Sequence, residues 1–314
     1  MVNQDVESPT GGRKTALVTG SGIGGIGGSL ATELHNAGYF VFCAVRKPSA
    51  IDDLLQPGMM AVELDVQSTE SVAAAVKTVS AVADGRLDVL INNAGFATHR
   101  PALDLDVDGV VASMFDVNVL GVMRMVKAFS DLLINAKGCI VNIGSVAPIM
   151  PLVYSSAYNA TKAALHAYGD SLHMELKPLG VDVLTIITGG VKSNIGKEPH
   201  LHSCRLLKSH YFVIMLMRPR MRTVRETNAS LPENSRYLPV KDYWLRRVTL
   251  SQEGAMQTDE YARGVVRAIE KKKRPLWLWR GGSAWLCFFL YYLTPRRLRL
   301  YMMARRFGLH SLTS

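Results

Sequence analysis

At 314 residues with 48% apolar composition, the chain is long enough to bury one large core, which excludes a small scaffold held together by disulfides. Its formal charge of +10 is not spread evenly: residues 271–314 hold ten Lys/Arg and no Asp/Glu, and the rest of the chain is balanced. The four cysteines (Cys43, Cys139, Cys204 and Cys287) and eight histidines, His200 and His202 among them, lack disulfide-framework or metal-ligand spacing, so no metal is predicted.

Met1 to Thr10 has neither the charged start nor the apolar stretch of a signal peptide; residues 1–12 read as a flexible N-terminus, and a cytoplasmic protein is expected. Strands are predicted near 14–19, 39–45, 60–64, 87–92, 138–144, 181–187 and 275–279, and helices near 27–37, 69–83, 108–136, 155–177 and 258–273. Strand and helix signals alternate to about residue 193, which suits an α/β architecture with one doubly wound parallel sheet.

The first strand runs into Thr19-Gly20-Ser-Gly-Ile-Gly-Gly25-Ile26-Gly27, and a helical pattern of Leu30, Leu34 and Ala37 follows. Glycine lets backbone amides approach a pyrophosphate, and the helix end adds unpaired N–H groups and partial positive charge. Elsewhere such a run is merely a turn; after a first strand it predicts a dinucleotide site at Gly20, Gly25, Ile26 and Gly27. The second strand ends in Arg46-Lys47, with no acid to accept from a ribose 2′-hydroxyl, and an arginine there suits a 2′-phosphate. NADPH is therefore predicted over NADH, the other reading being a solvated basic pair. Asp65 follows the third strand, where it also suits a cap for the helical segment from Ser68.

Tyr158 and Lys162 are four apart, so one helix face places an ammonium near a phenol. A neighbouring positive charge lowers a phenol's pKa and makes proton transfer practical near neutrality. A ketone reduced by hydride develops alkoxide character, which needs a proton donor and a second hydrogen bond. Tyr158 supplies the proton; Ser145, emerging after the apolar run Cys139–Gly144, supplies the bond.

Taken together, the Thr-Gly turn, Asp65-Val66, Asn92-Asn93-Ala94-Gly95, Asn118, Ser145, Tyr158 and Lys162, in this order and spacing, resemble the short-chain dehydrogenase/reductase family over about residues 13–195. The Gly-Gly-Ile-Gly turn, Thr188–Ser193 and Trp279–Ala284 most resemble its fungal 1-acyldihydroxyacetone-phosphate reductase-like branch. The resemblance implies a Rossmann fold and a tetrad. In it Asn118 holds a relay water, Ser145 orients the substrate oxygen, Tyr158 exchanges the proton, and Lys162 tunes the tyrosine and binds the nicotinamide ribose. It further implies that Asp65 contacts adenine, that Asn92, Ala94 and Gly95 form the adenosine-side turn, and that Val191 and Ser193 lie by the nicotinamide. Arg124 is a cofactor candidate or a solvated helix charge. The glycine loop is one residue longer than the family pattern, and Thr188 and Ser193 replace the family's Pro and Thr. A dimer or tetramer is expected by family likeness alone.

Residues 194–257 sit where the family covers its substrate. The run His210-Tyr-Phe-Val-Ile-Met-Leu-Met217, with Arg218-Pro-Arg-Met-Arg222 after it, suits a methionine-rich lid over a lipophilic ketone or an ordinary packed helix. Within residues 281–314, the apolar segment Ala284–Leu293 is too short to span a bilayer, and its aromatic residues and flanking Arg296, Arg297 and Arg299 suit an interfacial segment. A core or dimer helix is the alternative. No recognition motif accompanies the basic tail, so no nucleic acid is expected. The reading is an NADPH-dependent reductase of a hydrophobic ketone such as 1-acylglycerone 3-phosphate, working in the cytoplasm or on the cytosolic face of endoplasmic reticulum or lipid droplets. Its rivals are a reductase of polyketide, terpenoid or steroid intermediates and a non-catalytic NADPH-binding membrane module.

Overall fold

Strands buried on both faces read as continuous apolar runs, and such runs form the centre of one seven-stranded parallel sheet whose two edge strands are half-buried. The computed structural model describes residues 9–193, 195, 230–250 and 254–312. Residues 1–8 of the expected flexible N-terminus lie outside the described residues, as do His200, His202, Cys204 and the run 210–222 of the expected lid. The strands are β1 (Thr15–Thr19), β2 (Phe40–Val45), β3 (Met59–Glu63), β4 (Val89–Asn92), β5 (Cys139–Ile143), β6 (Asp182–Thr188) and β7 (Trp277–Arg280). Their order is β3-β2-β1-β4-β5-β6-β7, every pair parallel. The path across the sheet reverses between β1 and β4, which opens a crevice at the carboxyl ends of those strands.

Alternation along each strand divides the core into two layers. On one face, Leu30 and Leu34 of α1 (Ile26–Asn36) and Val265 and Ile269 of α6 (Thr258–Ile269) cover Val18, Val41, Ile91 and Val141. On the other, Val72 and Val79 of α2 (Thr69–Val82), Met125 and Phe129 of α3 (Val107–Ala136), and Leu165 and Leu172 of α4 (Ser156–Leu176) cover Leu17, Phe42, Leu90 and Ile140. The length and apolar composition of α3 would suffice to cross a membrane, yet its Met125, Phe129 and Leu133 are spent on this core. The Ser68 hydroxyl accepts from Ser71 N and caps α2, which contributes about 1 kcal/mol.

Three elements depart from the sequence expectation. The helix predicted over 108–136 is interrupted by π turns at Val107–Val111 and Asp116–Leu120, a distortion that often marks functional positions. Helix α6 stops at Ile269 rather than 273, ahead of Pro275, which disfavours helical backbone at the residue before it. Helix α5 (Lys241–Leu250), inside the expected lid, was not predicted at all.

Beyond β7 come α7 (Ala284–Leu293) and α8 (Arg296–Arg306). A buried Arg299 joins them: its Nη1 donates to the carbonyls of Leu290 at 3.1 Å, Tyr291 at 2.6 Å and Thr294 at 3.1 Å, satisfying orphaned groups at the α7 end. Met303 and Phe307 are buried against Met150, Tyr154, Val240 and Trp244. The Tyr154 hydroxyl donates to Phe307 O at 2.8 Å, and this bond helps hold Tyr154 at φ +60°, a conformation bulky residues rarely adopt. The C-terminal segment is thus docked on the loop that precedes α4.

Burial pushes the Cys43 and Cys139 thiols up to about 12. Both are expected to resist iodoacetamide at pH 8 in the native protein and to react on unfolding; mass spectrometry of labelled peptides checks this.

Candidate active site

Tyr158, Lys162 and His166 follow at intervals of four on α4 and share one face, turned to the end of β5. Lys162 Nζ donates to Ile143 O at 2.8 Å and lies 5.9 Å from the Tyr158 ring centroid. Ser145, two residues past β5, stands close enough to the Tyr158 phenol to act on its pKa. Its Oγ accepts from Ala147 N at 3.0 Å, and its own N–H donates to His166 Nε2 at 3.2 Å. Glycine is required at 144, where a Cβ would stand 2.5 Å from His166 Nε2 and 2.8 Å from Ile186 O. The structure therefore brings Ser145, Tyr158 and Lys162 together.

Asn118, in the second π turn, is fully buried. Its Oδ1 accepts from Phe96 N at 3.1 Å, while Nδ2 donates to Phe96 O at 2.9 Å and Thr161 Oγ1 at 3.1 Å. Thr161 in turn donates to Tyr158 O at 2.9 Å. The amide ties the loop after β4 to α4 beneath the tyrosine, so a relay water carried by Asn118 has to bond its main chain.

Burial raises the Tyr158 pKa above the ordinary phenol value, and the Ser145 hydrogen bond and the Arg247 charge pull against it. Sequence reasoning expects a phenol pulled down by Lys162. Instead the ammonium is directed at the Ile143 carbonyl, and desolvation dominates. Burial also brings Lys162 down to about 8. At neutral pH the site holds a protonated phenol beside an ammonium.

The glycine turn closes the crevice at the end of β1. Gly20 and Gly24 adopt φ +69° and +71°, and Gly24 is one of the four residues that stand where the family pattern has three. A Cβ on Gly27 would lie 2.2 Å from Gly20 O and 2.5 Å from Asn93 Nδ2, so only glycine lets α1 approach β1 this closely. Helix α1 starts at Ile26 after Gly25, with no side-chain cap and no acid in its first turn. Its leading N–H groups therefore suit a pyrophosphate. Asn93 Nδ2 donates to Thr19 O at 2.8 Å and Gly20 O at 3.1 Å, and Thr19 Oγ1 accepts from the N–H groups of Asn93 at 2.9 Å and Ala94 at 3.0 Å. Gly95 packs against Asn118 Oδ1. Gly27→Ala is expected to weaken dinucleotide binding at least tenfold and to cost about 1–3 kcal/mol of stability through overpacking, read by cofactor-fluorescence titration and urea unfolding.

Other candidates have different surroundings. Arg46 and Lys47 are exposed at the end of β2. Asp65 Oδ1 accepts from Gln67 N at 3.0 Å, and capping of α2 falls to Ser68 instead. The buried Asn92 donates to Asn142 Oδ1 at 2.9 Å within the sheet, so its amide is turned away from the crevice and Asn93 makes the tie to the glycine turn. Arg124 pairs with Asp116 at 2.7 Å and donates to Val66 O at 3.3 Å. Val191 and Ser193 are buried in a segment held by bonds from Gly189 N to Arg280 O, Gly190 N to Gly282 O and Lys192 N to Met256 O. These bonds fix the turn although Thr188 replaces the family's proline. Sequence reasoning missed Thr161, His166, Ser155, His99 and Arg247. Only His166 carried a signal, as the next member of the 158/162 stripe.

The family model for short chain dehydrogenase matches residues 14–202. This chain belongs to the short-chain dehydrogenase family. It is 38% identical over 283 residues to the short-chain dehydrogenase srdE of Neurospora crassa, covering 90% of this chain and 88% of that one. It is 40% identical over 228 residues to the NADPH-dependent 1-acyldihydroxyacetone phosphate reductase of Schizosaccharomyces pombe, covering 73% of this chain and 69% of the relative. A crystal structure of a short-chain dehydrogenase from Streptomyces avermitilis superposes with a TM-score of 0.71 at 25% identity, covering 96% of this chain and 98% of that one. As a short-chain dehydrogenase the chain is an oxidoreductase, and its crevice and α4 face lie at the carboxyl ends of the strands.

Proposed function

We propose that the chain reduces a lipophilic ketone with NADPH, with 1-acylglycerone 3-phosphate as the leading substrate. The observation that carries this reading is a half-buried Tyr158 beside Ser145, its phenol held above the ordinary value, with the Lys162 ammonium 5.9 Å from its ring centroid. An acid that keeps its proton at neutral pH suits donation to a nascent alkoxide, the direction of ketone reduction. Bound NADPH supplies the hydride. The Gly20–Gly27 turn would hold its pyrophosphate, Lys162 its ribose, and Arg46 and Lys47 its 2′-phosphate. Ser145 donates to the carbonyl oxygen as Tyr158 delivers its proton. The likeness to the Schizosaccharomyces pombe reductase supports both cofactor and substrate.

The test is NADPH oxidation across acyl-dihydroxyacetone phosphate, steroid and polyketide ketones. The acyl ketone phosphate is expected to be fastest, NADPH to outperform NADH, and Arg46→Ala to narrow that preference. A faster steroid or polyketide ketone overturns the substrate assignment, and no oxidation with any ketone overturns the reductase.

A peripheral contact with an anionic membrane surface is favoured by α7. Trp285, Leu286, Phe289, Tyr292 and Leu293 are each more than half exposed, on a segment whose charge is entirely basic. Deleting the segment would also strip Met303 and Phe307 from the core, so substitution is the cleaner test. The combined change of Trp285, Phe289 and Leu293 to Ser is expected to abolish flotation with phosphatidylserine vesicles. A wild-type protein that stays with the soluble fraction, or that buries this face in a solution dimer, overturns the proposal.

A further inference from the structure

Helix α5 carries a cation with no counter-charge among the described residues. Arg247 is 1% exposed, and its Nη2 donates to Ser155 Oγ at 3.0 Å. Among the described residues its Nε and Nη1 have no partner, and no ion pair includes it. An uncompensated buried charge is costly, and proteins pair such groups or turn them to use. The neighbourhood fixes where the charge sits. Trp244, fully buried one turn earlier on α5, donates from Nε1 to His99 O at 2.7 Å, and His99 Nδ1 shares Ser155 Oγ at 2.9 Å. Ser155 directly precedes α4, three residues before the acid Tyr158. The charge thus lies beside the reacting end of the site.

We propose that Arg247 is the substrate-side receptor for a phosphate monoester carried a few bonds from the ketone. The inference rests on the ketone-reductase reading above and adds what that reading leaves open, namely which residue selects an anionic ketone. Phosphate oxygens supply negative charge and several acceptors at once, so one group satisfies the stranded Nε and Nη1 donors and the charge together. Neutral ketones leave both stranded. Ser155 and His99 act as positioning residues that hold the guanidinium on the Tyr158 side.

The experiment compares the wild type with Arg247→Met and Arg247→Lys on acyl-dihydroxyacetone phosphate and on the same acyl ketone without its phosphate. The ratio of kcat/KM, phosphorylated over neutral, is expected to fall by about 10- to 100-fold in Arg247→Met, the effect of losing charged hydrogen bonds, and by less in Arg247→Lys. Equal losses on both ketones would mean that Arg247 acts only on Tyr158 or on the fold, and would overturn the proposal. A second reading needs no turnover: glycerol 3-phosphate is expected to raise the Tm of NADP-loaded wild type and not that of Arg247→Met. Stabilisation of both proteins, or of neither, also overturns it. Reduction of neutral ketones with no phosphate response leaves the reductase standing and removes the receptor. A phosphate response confined to the wild type, without reduction of any ketone, does the reverse.

Discussion

Tyr158→Phe is expected to lower ketone turnover by about 10²- to 10⁴-fold, the range for loss of a positioned general acid, while NADPH binding changes little. The substitution removes the phenolic proton beside Ser145, and the phenylalanine ring keeps the packing of α4. Lys162→Met should lose turnover and cofactor affinity together, because Lys162 is assigned to the ribose as well as to the charge behind the phenol. Stopped-flow turnover with a parallel fluorescence titration of NADPH separates the two. The pH profile adds a check. With Lys162 near 8 and Tyr158 above its ordinary value, reduction should decline first near pH 8 as the ammonium is lost, with the phenol still protonated. Undiminished turnover in Tyr158→Phe would remove the acid assigned here.

Local sequence carries most of this architecture, because the strands are short apolar runs and the chemistry-bearing residues sit at their ends. Gly20, Gly27, Ser145, Tyr158 and Lys162 were legible because each is tied to a nearby strand end or helix stripe, and a few residues of spacing fix its direction. Asn118 was legible as a position, but the Phe96 and Thr161 bonds that occupy its amide arise from loop packing 22 and 43 residues away in the chain. Arg247 was invisible for the same reason: the Ser155 it meets is 92 residues distant. The phenol pKa was misjudged because sequence displays the lysine charge at i+4 and hides the burial that outweighs it. The C-terminal segment read as a separate tail because its apolar run is local, whereas the Tyr154–Phe307 bond that docks it spans 153 positions.

The residue that sequence left out of the site gives the second large effect. His166 is buried and brought down to about 4, first by desolvation and then by the Lys162 charge. A histidine with a folded pKa below its unfolded value of 6.5 binds fewer protons in the native state, so stability rises with pH across this window and is lost as pH falls from about 6.5 towards 4. The shift corresponds to about 3 kcal/mol for this group alone. His99, brought down to about 3 by burial and by Arg247, acts with the same sign. Lys162 shares that sign only between about 8 and its ordinary 10.5, outside the acid window. Protonation at His166 Nε2 also removes the acceptor for Ser145 N–H, so acid should disturb the oxygen-binding hydroxyl before the protein unfolds. His166→Gln keeps an acceptor that does not titrate. Urea unfolding at pH 7 and 4.5 is expected to show a smaller acid loss in that variant than in the wild type, and identical losses would show that the imidazole is not the group responsible.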